Sequence, residues 1–166
     1  MKQKKLITAV LITIAIAAVV AGVYFAVRSL GGGRGLIAGA SSLQFSVTVT
    51  YNGTMLGNYM YMVKNVETTN MTMRIETNDT QGHSSVYIVN GAQRKAWVYS
   101  IGQWHDLSDA FNTQWATWSY QLKEYTDHLA GWTSGDRTYT NSKGDTVRVY
   151  NIAVNPPLGD SEFQPS

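Results

Sequence analysis

Histidine is the side chain best suited to proton transfer near neutral pH, and this chain has three, His83, His105 and His128. No two stand at a spacing that would bring both to one metal ion, and no nucleophile and acid flank any of them in a relay pattern. His105 and Asp106 are neighbours, but adjacent side chains in an extended segment point apart. His128 suits the carboxyl end of a helix, where a cation meets the negative pole of the dipole. Asp106 and Asp109 fit the first turn of a helix, and Glu124 and Asp127 beside Lys123 fit a solvated helix surface. Gly31-Gly32-Gly33-Arg34-Gly35 is rich in glycine but lacks the lysine and hydroxyl residue of a phosphate loop. The chain has no cysteine, which excludes thiolate ligands, disulfides and cysteine nucleophiles. These residues name no catalytic group, no metal ligand and no cofactor, so the chain reads as a binding or structural protein and not as an enzyme.

Apolar chemistry is better supplied. All five tryptophans fall between Trp97 and Trp132, ten tyrosines are spread along the chain, and Met55, Met60, Met62, Met71 and Met73 concentrate in the first extended segments. Together these side chains are expected to line one apolar face, either as plain core or as a hollow for an acyl chain or another apolar ligand. If there is a hollow, its walls are Phe45, Val47, Tyr59, Tyr61, Met71 and Met73 from strands, with Trp97, Trp115, Trp118 and Leu122 facing them. Three N-x-S/T sequons, at Asn52, Asn70 and Asn78, are candidate glycosylation sites on an exported domain.

The elements that would position these groups follow from periodicity. Leu43 to Tyr51 alternates apolar and polar residues as a half-buried strand does, Asn52-Gly53 favours a type I′ turn, and Leu56 to Val63 returns. Met71–Thr77, Ser85–Val89 and Lys95–Tyr99 continue the meander, with a second hairpin signal at Asn90-Gly91. Arg137–Thr140 and Thr146–Val154 bracket Asn141 to Asp145 as a last hairpin, and Pro156-Pro157 stops it. Between these sheet portions, Leu107, Phe111, Trp115, Trp118, Leu122, Tyr125 and Leu129 recur every three or four residues, along one stripe of a helix. Asp106 or Ser108 suits its start and Gly131 its end. The expected fold is α+β, a curved, half-barrel-like antiparallel sheet packed on one main helix, preceded by a transmembrane helix.

That preceding helix is read from Leu6 to Val27, 22 residues without charge or proline behind the basic leader 1–5. It would extend roughly 33 Å, enough to cross a hydrocarbon core. An uncleaved signal anchor with the amino end inside is expected, because the run exceeds the core of a secretory signal and three lysines precede it. A cleaved signal peptide is the competing reading. Residues 28–42 then form a glycine-rich tether and residues 43–166 a single extracytoplasmic domain, which makes the protein a single-pass protein of the cell membrane. Residues 36–166 carry eight basic against eleven acidic side chains, a balance that offers nucleic acid no footprint. The bilayer is the one partner the sequence names, a lipid or acyl-chain ligand is the next expectation, and any protein partner is unknown.

The order of elements adds a resemblance. The meander, Val86-Tyr87-Ile88-Val89-Asn90-Gly91, Trp97-Val98-Tyr99, Trp104, the helix, the final hairpin and the run Asn155 to Phe163 together look like the LolA/LolB-type lipoprotein carriers, over about residues 43–163. That resemblance implies a curved half-barrel plugged by helices, with an apolar hollow that holds lipid. The chain departs from it in having a long anchor and one clear helix. The function expected is a membrane-anchored extracytoplasmic domain that binds a lipid or other apolar ligand. The alternatives are a pilin-like subunit of a surface filament, which it resembles in its basic leader, long apolar helix and β-rich head, and an envelope scaffold or sensor without a ligand.

Overall fold

The computed structural model describes residues 36–166. The described residues begin with a 3₁₀ turn, Leu36–Gly39, and then form β1 (Ser42–Tyr51), β2 (Thr54–Lys64), β3 (Thr72–Asn78), β4 (Ser84–Asn90), β5 (Lys95–Ser100) and β6 (Gln103–Asp106). A 3₁₀ turn, Ser108–Ala110, leads into the helix α1 (Phe111–His128), followed by β7 (Arg137–Thr140), β8 (Thr146–Val154) and a closing 3₁₀ turn, Asp160–Phe163. All eight strands make one open, curved antiparallel sheet in the order β6-β5-β4-β3-β2-β1-β8-β7. The described residues are therefore α+β, one sheet and one α-helix. Among the described residues no helix is long and apolar enough to cross a membrane, and the expected anchor at 6–27 lies outside them.

Strand order explains the path of the helix. The meander ends at β6 on one edge, and β7 lies on the other. At about 4.8 Å per strand the sheet is roughly 34 Å wide, and an 18-residue helix reaches about 27 Å. Connecting the two edges thus draws α1 across one whole face. That face is made by alternate residues: Leu43, Phe45 and Val47 of β1, Tyr61 and Val63 of β2, Met73 and Ile75 of β3, and Val147 and Val149 of β8, all with essentially no exposed surface. From α1 come Phe111, Trp118, Leu122 and Tyr125. Phe45 stacks on Tyr61 with centroids 5.2 Å apart, and Tyr125 meets both rings edge-on at 6.2 and 5.5 Å. Trp118 packs on Tyr87 at 4.8 Å. Gln114 is buried on the same stripe, where its Oε1 accepts the Trp118 indole N–H at 3.3 Å. Heptad-like spacing counts apolar residues, so this polar member escaped the sequence reading.

Local turns agree with the expectations in places and depart from them in others. Asn52 and Gly53 take positive φ, 49° and 78°, between the paired Tyr51 and Thr54, the two-residue type I′ turn expected. Asn90-Gly91 does not form such a turn. Asn90 pairs with Lys95, a four-residue loop intervenes, and Arg94 takes the left-handed conformation, φ 52°. Gly91 serves a different need there: a Cβ would lie 2.5 Å from the Thr69 carbonyl oxygen and 2.7 Å from the Trp115 ring. β6 was not expected, because Ile101 occupies the left-handed first position of its turn, φ 52°, where asparagine or glycine is the usual signal. Asp106 Oδ1 accepts the Ser108 N–H at 2.8 Å at the entry to the 3₁₀ turn, and the N-cap of α1 is Ala110, with no side-chain cap. The tether expected over 28–42 gives way to the domain by Ile37 and Ala40, whose side chains are buried in the core.

Candidate functional site

Among the described residues no α-helix covers the reverse face of the sheet. It carries the other alternate residues, among them Met60 and Met62 of β2, Arg74 and Glu76 of β3, Ile88 of β4 and Trp97 of β5. The residues after β8 cross it as a strap, in the direction opposite to α1. Asn155 starts the strap by taking the Ser41 N–H on its Oδ1 at 2.7 Å, and the Ser42 hydroxyl donates to the Pro156 carbonyl at 2.9 Å. Over β2, the Lys64 ammonium pairs with Asp160 and lies 5.7 Å from the centre of the Phe163 ring. Over β3, Arg74 donates to the Glu162 carbonyl at 3.1 Å while its Nε and Nη2 hold Glu76. At the far edge, the Trp104 indole N–H reaches the Ser166 carbonyl at 3.0 Å. Phe163 and Ile88 are both buried and stand outside the main core.

Between strap and sheet lies a hollow of about 430 Å³. Its floor is Thr72, Asn90 and Trp97, Gln93 and Asn65 stand at one end, and Asp160, Phe163 and Gln164 form the strap side. Its two charges, Lys64 and Asp160, are paired, and the ammonium holds the Asp160 carboxyl below its usual range. A second hollow of about 170 Å³ lies at the start of α1, against Gly91, Trp115 and Phe111. Arg94 covers Phe111 there, 5.1 Å from its ring, and donates to Asn112 Oδ1 at 2.9 Å.

The structure separates the residues expected to wall one hollow. Phe45, Val47, Tyr61, Met71, Met73, Trp118 and Leu122 come together as closed core, and Tyr59 and Trp115 pack against its border. Trp97 stands apart from them. Ala96 opposes Val89 on the helix side, so the strand's alternation sends Trp97, opposite Ile88, to the reverse face. The same rule divides the methionines. Met71 and Met73 are in the core, Met60 and Met62 face the other way, and Met55 is exposed near the β1–β2 turn. They do not line a single face.

Burial has a chemical signature in the tyrosines. Loss of solvation, reinforced by neighbouring Tyr125, pushes the Tyr61 hydroxyl well above its ordinary value of 10.0. That hydroxyl donates to Gln121 Oε1 at 2.9 Å. Tyr125 is raised too, burial again being the first cause. Both groups are neutral throughout the physiological range and act in packing.

The histidines are dispersed. His83 contacts Asp79 Oδ2 through Nδ1 at 2.9 Å in the exposed β3–β4 loop, and that contact lowers Asp79. His128 stacks on Tyr139 with centroids 3.6 Å apart, and His105 pairs with Val98 in the sheet. Among the described residues no three histidine or carboxylate side chains cluster to hold a metal ion. The sequon asparagines Asn52, Asn70 and Asn78 are all exposed, and Asn78 Oδ1 accepts the Ser84 hydroxyl. Comparison with known proteins found no matching family model, no matching curated protein and no matching solved structure.

Proposed function

We propose that this protein is a membrane-tethered extracytoplasmic recognition domain that meets its ligand on the strap-crossed reverse face of its sheet, and not in a hollow between helix and sheet. Tethering rests on residues 6–27, whose length and flanking lysines suit a signal anchor. The observation that carries the choice of face is the contrast in packing. Phe45, Tyr61 and Met73 leave no exposed surface under α1, whereas the reverse face holds the 430 Å³ hollow with polar groups around it. An acyl chain between helix and sheet would have to displace that aromatic core, which disfavours the carrier-like reading and its half-barrel hollow. A filament subunit finds no particular support in either face.

Hydrogen exchange of the full chain, compared between purified protein and protein returned to a cell-envelope fraction, tests this reading. Added protection is expected in residues 64–72, 90–97 and 160–165. Protection confined to α1, or none anywhere, would overturn it. Protease shaving of intact cells checks the topology, with cleavage expected beyond residue 36.

A further inference from the structure

We infer that the hollow beneath the strap binds a neutral saccharide, an inference that rests on the recognition face proposed above and names its ligand. The argument starts from charge. Lys64 and Asp160 satisfy one another, so a phosphate, a nucleotide or a carboxylate ligand would have to break an existing ion pair to find a cation. Beside Trp97, Phe163 and Pro165 the wall carries the amides of Asn65, Asn90, Gln93 and Gln164 and the Thr72 hydroxyl, and an acyl chain would cover these polar groups without giving them partners. What remains is a neutral ligand with many hydroxyls and one apolar flank.

Amide side chains suit such a ligand because each offers both a donor and an acceptor, as a sugar hydroxyl does. Asn90 uses its Oδ1 on the Gln93 backbone N–H at 3.0 Å, which turns its amide nitrogen free to donate. The side chains of Gln93 and Gln164 and the indole N–H of Trp97 make no hydrogen bond to another described residue. Trp97 is half-buried on the floor and has no ring partner among the described residues, so its face is available to the C–H flank of a pyranose. A volume of about 430 Å³ lies in the range of small-molecule sites and would take one or two sugar rings.

Position suggests two sources of the same chemistry. Lys64 and Thr72 lie at the end of the sheet where the chain enters, since Ser42 pairs with Lys64. The hollow is thus at the tether's end of the domain, within reach of a glycolipid headgroup as well as a free glycan.

Saturation-transfer NMR on the full chain in phosphatidylcholine nanodiscs separates them. The probes are maltotriose, mannotriose and chitotriose in solution, and diglucosyl-diacylglycerol in the disc. Transfer to a free trisaccharide assigns the site to soluble glycans, and transfer to the glycolipid alone assigns it to the membrane headgroup. Trp97→Ala is expected to weaken either by about tenfold or more, with Trp97→Phe recovering part of it. Gln93→Ala, at an exposed loop position, is expected to weaken binding with no change in folding. Silence in both arms, binding of inorganic phosphate in their place, or binding indifferent to both Trp97→Ala and Gln93→Ala would overturn the inference. If every saccharide fails while the envelope fraction still protects residues 90–97 from exchange, the ligand class falls and the recognition face stands.

Discussion

One face of this sheet is covered by an amphipathic helix and the other by an extended strap, and the two coverings differ in how they are held. Under α1, Phe45, Tyr61, Tyr125 and Trp118 interlock as rings and exclude water. Beneath the strap, one buried phenylalanine is joined by an ion pair and hydrogen bonds at Asn155, Arg74 and Trp104, with a hollow left between. Rings without gaps make a rigid, high-stability unit, whereas few apolar contacts and exposed polar ones characterise segments that open locally. The lesson is a difference in covering within one layer: the helix face holds the closed core, and the reverse face keeps a polar-walled hollow.

The strongest way to break this contrast is Phe45→Ala, which removes a ring with no exposed surface and should cost about 3–5 kcal/mol by urea denaturation. A loss below about 1 kcal/mol would mean that the helix face is not the closed core. Alkaline pH probes the same face. Above about pH 10 the unfolded chain releases its tyrosine protons while folded Tyr61 and Tyr125 retain theirs, so the unfolded state binds fewer protons and stability must fall as pH rises. That loss should be absent at neutral pH and reduced in slope by Tyr61→Phe, as read from denaturation midpoints across that range. Phe163→Ala tests the reverse face and should cost about 1.5–3 kcal/mol, with faster hydrogen exchange in residues 155–166 than in α1. The smallest effect is expected from Asp160→Asn. Its carboxylate is exposed, so the global midpoint should stay unchanged while exchange near residues 159–164 accelerates. A large shift in midpoint would show that the strap is part of the cooperative core.

Much of the architecture was readable from local patterns. Alternation identified β1 because Leu43, Phe45 and Val47 enter the core in turn, and Asn52-Gly53 announced its turn because both positions require positive φ. The stripe from Phe111 to Leu129 identified α1. Reading failed where a residue served a neighbour distant in sequence. Gly91 resembles a hairpin glycine, but its space is taken by Thr69 and Trp115. Trp97 resembles another core tryptophan, but register with Ile88 places it on the reverse face.

The sequence by itself determined the run at 6–27, the strand and helix periods, and the absence of thiol chemistry, because each depends on composition or on spacing within a few residues. Tertiary structure alone decided that α1 closes over Phe45, Tyr61 and Met73, that the last twelve residues cross the other face, and that Trp97, Asn90 and Gln164 share one hollow. Those facts depend on strand order and register, which join residues up to 111 positions apart, as Leu43 and Val154 are, through a sheet whose pairings no short segment encodes.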